Sequence, residues 1–222
     1  MSRLALFDLD DTLLSGDSDV LWCEFLIAEG LLDRAEFEPR NRAMAERYAQ
    51  GLATPAEYCG FYAATLAGVR PAAWQSLRER FFATAIAPRL PASARELVAR
   101  HRERGDRLLL TTATNRFITE PTALDLGVDA LIATEVEVVD GVFTGRTTGT
   151  LNMRAGKVER LREWLAAQRL AEAVLDEATF YSDSANDLPL LLVVGHPVAV
   201  DPDAILEAQA LRAGWPLLRL AR

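Results

Sequence analysis

Along the chain, short unbroken apolar runs alternate with longer stretches in which apolar positions recur every three or four residues. The runs are LALF at 4–7, RLLLTT at 107–112, ALIAT at 130–134, ATFYS at 178–182 and HPVAV at 196–200. Continuous rather than alternating hydrophobicity over so few residues marks strands covered on both faces, as in a parallel sheet. The stretch AGKVERLREWLAAQ at 155–168 instead brings Val158, Leu161, Trp164 and Leu165 onto one helical face. Strand and helix signals in alternation predict an α/β fold with a doubly wound parallel sheet. In such a sheet the active site forms at the carboxyl ends of the strands.

One interval breaks the alternation. From about Ser18 to Ala87 no strand pattern occurs. SDVLWCEFLIAEG opens on a Ser or Asp cap and stops at Gly30, and TPAEYCGFYAATLAG joins a Thr54 cap to Pro55 at the first helical position. Gly51 and the AGVRP segment supply turns, and Pro88 and Pro91 mark the return to the sheet. The pattern therefore predicts an all-helical cap domain at 17–87, inserted into a core made of 1–16 and 88–222. Further on, TEVEVVDGVFTGR alternates about Asp140 and Gly141 and predicts a hairpin.

Composition narrows the partners. With 222 residues, half of them hydrophobic and a quarter charged, the chain has the make-up of a soluble globular protein able to bury a sizeable core. The net charge of −8 argues against nucleic acid or an anionic membrane as partner. It leaves room for a phosphate-bearing substrate, since local cations outweigh an average. The first apolar run is too short for a secretory signal, and no stretch approaches the roughly 20 apolar residues of a membrane span. A cytoplasmic protein is expected. Cys23 and Cys59 lack CxxC spacing and neighbouring histidines, so they read as small buried thiols.

The chemistry concentrates at the ends of the predicted strands. ALFDLDDTLLSGDSD at 5–19 places five aspartates within twelve positions. Asp8 and Asp10, one residue apart on an extended backbone, leave the same face, so their repulsion calls for a compensating partner. Three further pieces follow: TTATN at 111–115, GK at 156–157 and SDSANDLP at 182–189. Taken singly, each has a structural reading as a turn, a helix cap or a solvated lysine.

Taken together and in this order, DLDDT, TTATN, GK and SDSANDLP resemble the haloacid dehalogenase superfamily of phosphohydrolases. The resemblance is to its phosphoserine phosphatase-like branch, with a helical cap between the first two motifs, and it covers nearly the whole chain. It implies a phosphatase in which Asp8 attacks phosphorus to form an aspartyl phosphate, and in which Asp10 gives a proton to the leaving group and takes one from water. It also implies a hard divalent cation, Mg²⁺, between the Asp8 carboxylate, the Asp10 carbonyl and the Asp183 carboxylate. That cation answers the repulsion among the acids. Zinc does not fit, because His101 and His196 both lie outside the motifs.

Thr112, with the amide of Ala113 beside it, matches the phosphate-binding hydroxyl of the second motif and is preferred to Thr111. Lys157 matches the third-motif cation, Asp187 supports Lys157 or the metal, and Asn186 contacts phosphate or lysine. Thr12 reads as structural. Asp17 lies where phosphoserine phosphatases carry an acid for the substrate ammonium, although Asp17 or Ser18 also suits a helix cap.

An ammonium site points to phosphoserine or histidinol phosphate. Phosphoserine requires a cap arginine for its carboxylate, from among Arg34, Arg40, Arg42, Arg47 and Arg70. Histidinol phosphate instead has an imidazole that Trp22, Phe25 or Trp74 could face. The helix opening GDSDVLWCEFL and the hairpin resemble the broader subfamily that includes histidinol phosphatases, which implies the latter. The competing functions are a phosphotransferase using the same phosphoenzyme and a catalytically idle phosphate-binding module.

Overall fold

The apolar runs pair edge to edge. In the computed structural model, which describes residues 3–50 and 52–221, seven strands form one sheet. They are β1 (Leu4–Phe7), β2 (Arg107–Asn115), β3 (Ala130–Val139), β4 (Val142–Thr148), β5 (Thr179–Ser182), β6 (His196–Val200) and β7 (Leu217–Leu218). Their order is β4-β3-β2-β1-β5-β6-β7. Every pairing is parallel except that of β3 with β4, which is the expected hairpin, closed at Asp140 and Gly141.

The central strand buries both faces, which is why its run does not alternate. Ala5 and Phe7 join one core with Leu108 and Leu110, while Leu4 and Leu6 join the other with Leu109 and Phe180. The second core is completed by Val158, Leu161 and Leu165 of the helix expected at 155–168. Each such side chain contributes about 1.5–3 kcal/mol on burial.

The strands differ from expectation in two respects. Two residues are too few for β7 to show any hydrophobic pattern. The polar end of β2 extends three residues past Thr112, because its hydroxyls find partners inside the molecule rather than in a solvated turn.

Helices α1 (Ser18–Ala28), α2 (Arg34–Ala49), α3 (Pro55–Ala63) and α4 (Pro71–Phe81) lie between β1 and β2, followed by α5 (Ala92–Glu103). Downstream come α6 (Arg116–Leu126), α7 (Ala155–Ala167), α8 (Leu188–Leu191) and α9 (Ala204–Ala213). Among the described residues no strand falls between Phe7 and Arg107. Thr54 starts α3 through a reciprocal capping box with Glu57. The turn expected at Gly51 lies outside the described residues.

The helical stretch is held to the sheet by an aromatic cluster. The Trp22 ring lies 5.7 Å from Trp74, 5.1 Å from Phe81 and 6.5 Å from Phe117 of α6. It is also tied to the hairpin, for Gly68 N donates to Phe143 O and Phe143 N to Val69 O. Cys23 and Cys59 are buried free thiols. Among the described residues no helix is long and apolar enough to cross a membrane.

Candidate active site

The chain leaves β1 through a single wide helical turn, Leu9–Leu13, closed by Leu14 N donating to Leu9 O at 2.9 Å. Asp8 and Asp10 keep extended backbones, with φ/ψ of −72/160° and −68/131°. Asp11 then turns left-handed at φ 53°, a conformation that Asp tolerates better than most residues. These geometries bring the acids to the carboxyl edge of the sheet. There they border a cavity of about 150 Å³, together with Asp17, Asp19, Thr114, Lys157, Asp183 and Asn186.

Asp8 is 7% exposed and has two partners. Lys157 Nζ donates to its Oδ1 at 2.6 Å, and Thr12 Oγ1 lies 3.2 Å from its Oδ2. Lys157 also reaches Asp187 Oδ2 at 2.7 Å, which Ser182 Oγ binds at 2.8 Å. Gly156 explains how the lysine gets there. A Cβ at that position would stand 2.0 Å from Leu151 O, so only glycine lets the start of α7 approach this closely.

Burial opposes the Lys157 charge, but the Asp187 and Asp8 carboxylates outweigh it and push its pKa up. Burial pushes Asp8 well above the carboxylate range. Lys157 opposes this shift, and Asp187, Asp183 and Asp10 add to it.

Asp10 turns toward the second motif and the first helix. Its Oδ1 accepts from Ser18 N at 2.7 Å and Ser18 Oγ at 2.5 Å; its Oδ2 lies 3.0 Å from both Thr112 Oγ1 and Thr114 Oγ1. Alternation along β2 sends Thr111 the other way, onto Asn152 Nδ2 at 3.0 Å. Ala113 borders the cavity.

Asp183 is linked to β1 through Thr12. The Thr12 hydroxyl lies 2.9 Å from Asp183 Oδ1 and accepts from Asp183 N at 3.0 Å. A hydroxyl has one proton, so Thr12 can donate to Asp8 or to Asp183 but not to both. Burial raises Asp183 to about 7, the Thr12 hydrogen bond opposing and Asp11 and Asp187 adding.

The result is a surplus of negative charge and oxygen donors between two carboxylates. It suits a hard divalent cation, and among the described residues no His or Cys borders the cavity. Among the described residues no group of three or more His, Cys, Asp and Glu side chains is placed to hold a metal. Two carboxylates and one backbone carbonyl require no such group.

Asp17 caps α1, its Oδ1 accepting from Asp19 N at 2.8 Å and Val20 N at 3.0 Å. Its Oδ2 receives Tyr58 OH at 3.4 Å. Burial raises it to about 7, with Asp10 adding. Asn186 reaches Ser184 Oγ and accepts from Arg154 Nε at 3.1 Å. The aromatic residues at the cavity are Tyr48 and Tyr58, with ring centroids 4.4 Å apart; Trp22 and Trp74 are buried in the core.

Among the described residues no arginine borders the cavity. Arg34, Arg40 and Arg47 pair with Glu38, Glu36 and Glu57 on the surface. Arg154 adjoins the cavity through Asn186 and Tyr48 and is engaged with both. His101 is buried elsewhere, between Asp106 and Tyr181.

Several residues of the site carried little sequence signal. Ser18 reads as a cap and Thr12 as structural, Thr114 lies in TTATN without an assigned role, and Asp19, Tyr48 and Tyr58 stand in none of the four motifs. The pairing of β1 with β2 brings Thr114 beside Asp10, whereas Ser18 and Asp19 come on α1, Tyr48 on α2 and Tyr58 on α3.

Comparison with known proteins agrees with this geometry. Residues 5–192 match the haloacid dehalogenase-like hydrolase family. A Neisseria meningitidis protein named histidinol-phosphatase is 40% identical over 98% of this chain and 99% of its own. Phosphoserine phosphatase SerB1 of Mycobacterium tuberculosis is 31% identical over 100% of this chain and 73% of its own. A crystal structure of a Bordetella pertussis protein of unknown function superposes with a TM-score of 0.94 at 43% identity, covering 98% of both chains. A substrate-bound phosphoserine phosphatase shares the fold, with a TM-score of 0.71 at 18% identity over 98% of this chain and 93% of its own. The chain thus belongs to the haloacid dehalogenase-like hydrolases, as a phosphatase related to histidinol-phosphatase and phosphoserine phosphatase.

Proposed function

We propose that this phosphatase hydrolyses a small amine-bearing phosphomonoester through a phosphorylated Asp8, with histidinol phosphate favoured over phosphoserine. One observation carries the substrate assignment: the cavity beside Asp8 is walled by Asp17, Asp19 and two tyrosines, and among the described residues no arginine lines it, Arg154 nearby being engaged with Asn186 and Tyr48. Histidinol phosphate has nitrogen centres and no carboxylate, whereas phosphoserine has both charges. The 40% identical relative named histidinol-phosphatase supports the same choice.

In this reading an Asp8 carboxylate oxygen bonds to phosphorus as the ester P–O bond breaks, and the departing alkoxide takes a proton from Asp10. Water then attacks the aspartyl phosphate, Asp10 takes its proton, and phosphate leaves. Lys157 holds Asp8 in line and offsets charge on the phosphoryl oxygens. Thr112 and the Ala113 amide bind those oxygens, Asn186 closes their far side, and Asp187 fixes Lys157. Mg²⁺ held by Asp8, the Asp10 carbonyl and Asp183 would supply the positive charge that the acids lack.

Residues 17–87 act as a cap over this site. A cavity of about 150 Å³ is small beside the roughly 300 Å³ or more of ordinary ligand pockets, so admission of substrate calls for the cap to open. Its two connections run side by side, Ser15 N donating to Arg89 O at 2.9 Å, and Gly16 at φ 122° takes a conformation that other residues resist. A cytoplasmic setting suits such a metabolic enzyme.

The test is phosphate release from histidinol phosphate, phosphoserine, phosphoethanolamine, glycerol phosphate and sugar phosphates, with Mg²⁺ and with EDTA, for the wild type and Asp8→Asn. Metal-dependent, Asp8-dependent preference for histidinol phosphate is expected. Equal or better turnover of phosphoserine would overturn the substrate, and full activity of Asp8→Asn would overturn the mechanism. Transfer to glycerol in place of water would make the enzyme a phosphotransferase.

A further inference from the structure

Asp19 sits in the first turn of α1 and belongs to none of the four motifs. An acid there ordinarily serves the helix dipole from the surface. Asp19 does not, for it is 5% exposed and borders the cavity beside Asp8. Its Oδ1 is shut off from solvent and meets no hydrogen-bond donor among the described residues. Its Oδ2 meets Thr114 Oγ1 at 3.1 Å and no other donor among the described residues. That hydroxyl is also 3.0 Å from Asp10 Oδ2, and its single proton serves one carboxylate at a time. A carboxylate offers about four acceptor positions, so Asp19 is buried with most of its capacity unused.

Asp17 presents the opposite case. Its Oδ1 is occupied by two backbone amides and its Oδ2 faces Tyr58 OH. Its acceptors are largely spent on starting the helix. Of the two acids at this end of the cavity, the one short of donors is Asp19. A protonated amine brings three N–H donors and a positive charge, which Asp19 lacks among its described neighbours, into a cavity that Tyr48 and Tyr58 also line.

Resting on the amine-ester reading above, we propose that Asp19, rather than Asp17, is the residue that receives the substrate's ammonium group. Asp19 is thereby a specificity-determining residue, and Asp17 positions it by capping α1.

The test compares 2-aminoethyl phosphate with propyl phosphate, which replaces the ammonium with a methyl group of similar size. The quantity read is the ratio of their kcat/KM values in the wild type, Asp19→Asn and Asp17→Asn. Asparagine caps a helix as well as aspartate does. The wild type is expected to prefer the amine, and Asp19→Asn to lower the ratio at least tenfold, mainly through KM. Asp17→Asn should lower it by much less.

A merely structural role for Asp19 would depress both substrates in proportion and leave the ratio intact, which overturns the assignment. Collapse of the ratio in Asp17→Asn but not in Asp19→Asn overturns it too. If the wild type shows no preference for the amine, it is the amine-ester reading that falls, and this assignment falls with it. Should Asp19→Asn fail to fold, Asp19→Ser, which keeps a residue suited to a helix start, is read in the same way.

Discussion

Thr12 and Asp183 stand 171 positions apart in the chain, yet the Thr12 hydroxyl lies 2.9 Å from Asp183 Oδ1 and accepts the Asp183 amide at 3.0 Å. The same oxygen is 3.2 Å from Asp8 Oδ2. One small hydroxyl thus sets the spacing of the two carboxylates assigned to the cation. Thr12→Val keeps the volume and removes the polar atom. It should raise the Mg²⁺ concentration for half-maximal activity by about 10- to 100-fold, the usual cost of losing a partner behind a metal ligand. A Mg²⁺ titration of phosphate release checks this, and an unchanged midpoint would return Thr12 to a purely structural role.

Lys157 lies between two buried acids, with side chains 4% exposed for Lys157 and Asp187. Removing a buried charge partner costs about 3–5 kcal/mol, because the remaining charge is left without compensation. Lys157→Met should therefore abolish turnover and lower Tm by roughly 10 °C or more. Adding Asp187→Asn should restore part of the Tm and none of the activity. Thermal unfolding of both variants separates the two contributions; equal Tm values would mean that Asp187 gains nothing from the lysine.

Ser18 begins the helical segment and gives Asp10 two of its four donors. In Ser18→Ala the amide remains and the hydroxyl is lost, so Asp10 is less firmly oriented for proton transfer. A fall in kcat of about 10-fold is expected, with KM little changed and with recovery in Ser18→Thr. A rise in KM at constant kcat would instead place Ser18 in substrate binding.

Asp17 has a folded pKa of about 7 against an ordinary value of 3.8, burial being the main cause. Below about pH 4 the carboxyl is protonated in both the folded and the unfolded chain and costs nothing. As pH rises toward 7 the unfolded chain ionises it while the folded chain keeps the proton, so stability is lost across that window. Asp8, Asp19 and Asp183 are raised as well and act in the same direction. The informative quantity is therefore the difference made by Asp17→Asn, which retains the cap and removes the charge. In EDTA, the fall in Tm from about pH 4 to about pH 7 should be shallower in this variant, and parallel curves would show that Asp17 ionises as freely folded as unfolded.

Local pattern was enough to predict the doubly wound α/β sheet, β7 excepted. Unbroken runs such as LALF mark strands buried on both faces, the spacing of Val158, Leu161 and Leu165 marks one helical face, and Thr54-Pro55 marks a helix start. Each reflects a period or a capping preference contained within a few residues, so it can be read without knowing what lies across the molecule. The four ordered motifs were legible for the same reason, each being a short segment at a strand end or helix start. The tertiary structure alone decided which oxygen meets which partner. Thr12 and Asp183, Asp10 and Thr114, and Lys157 and Asp8 are joined only by the pairing of β1 with β2 and β5 and by the close approach of α7 at Gly156. The burial that leaves Asp19 short of donors likewise depends on helices and strands distant in sequence, because hydrogen-bond supply and desolvation are properties of surroundings that no local pattern records.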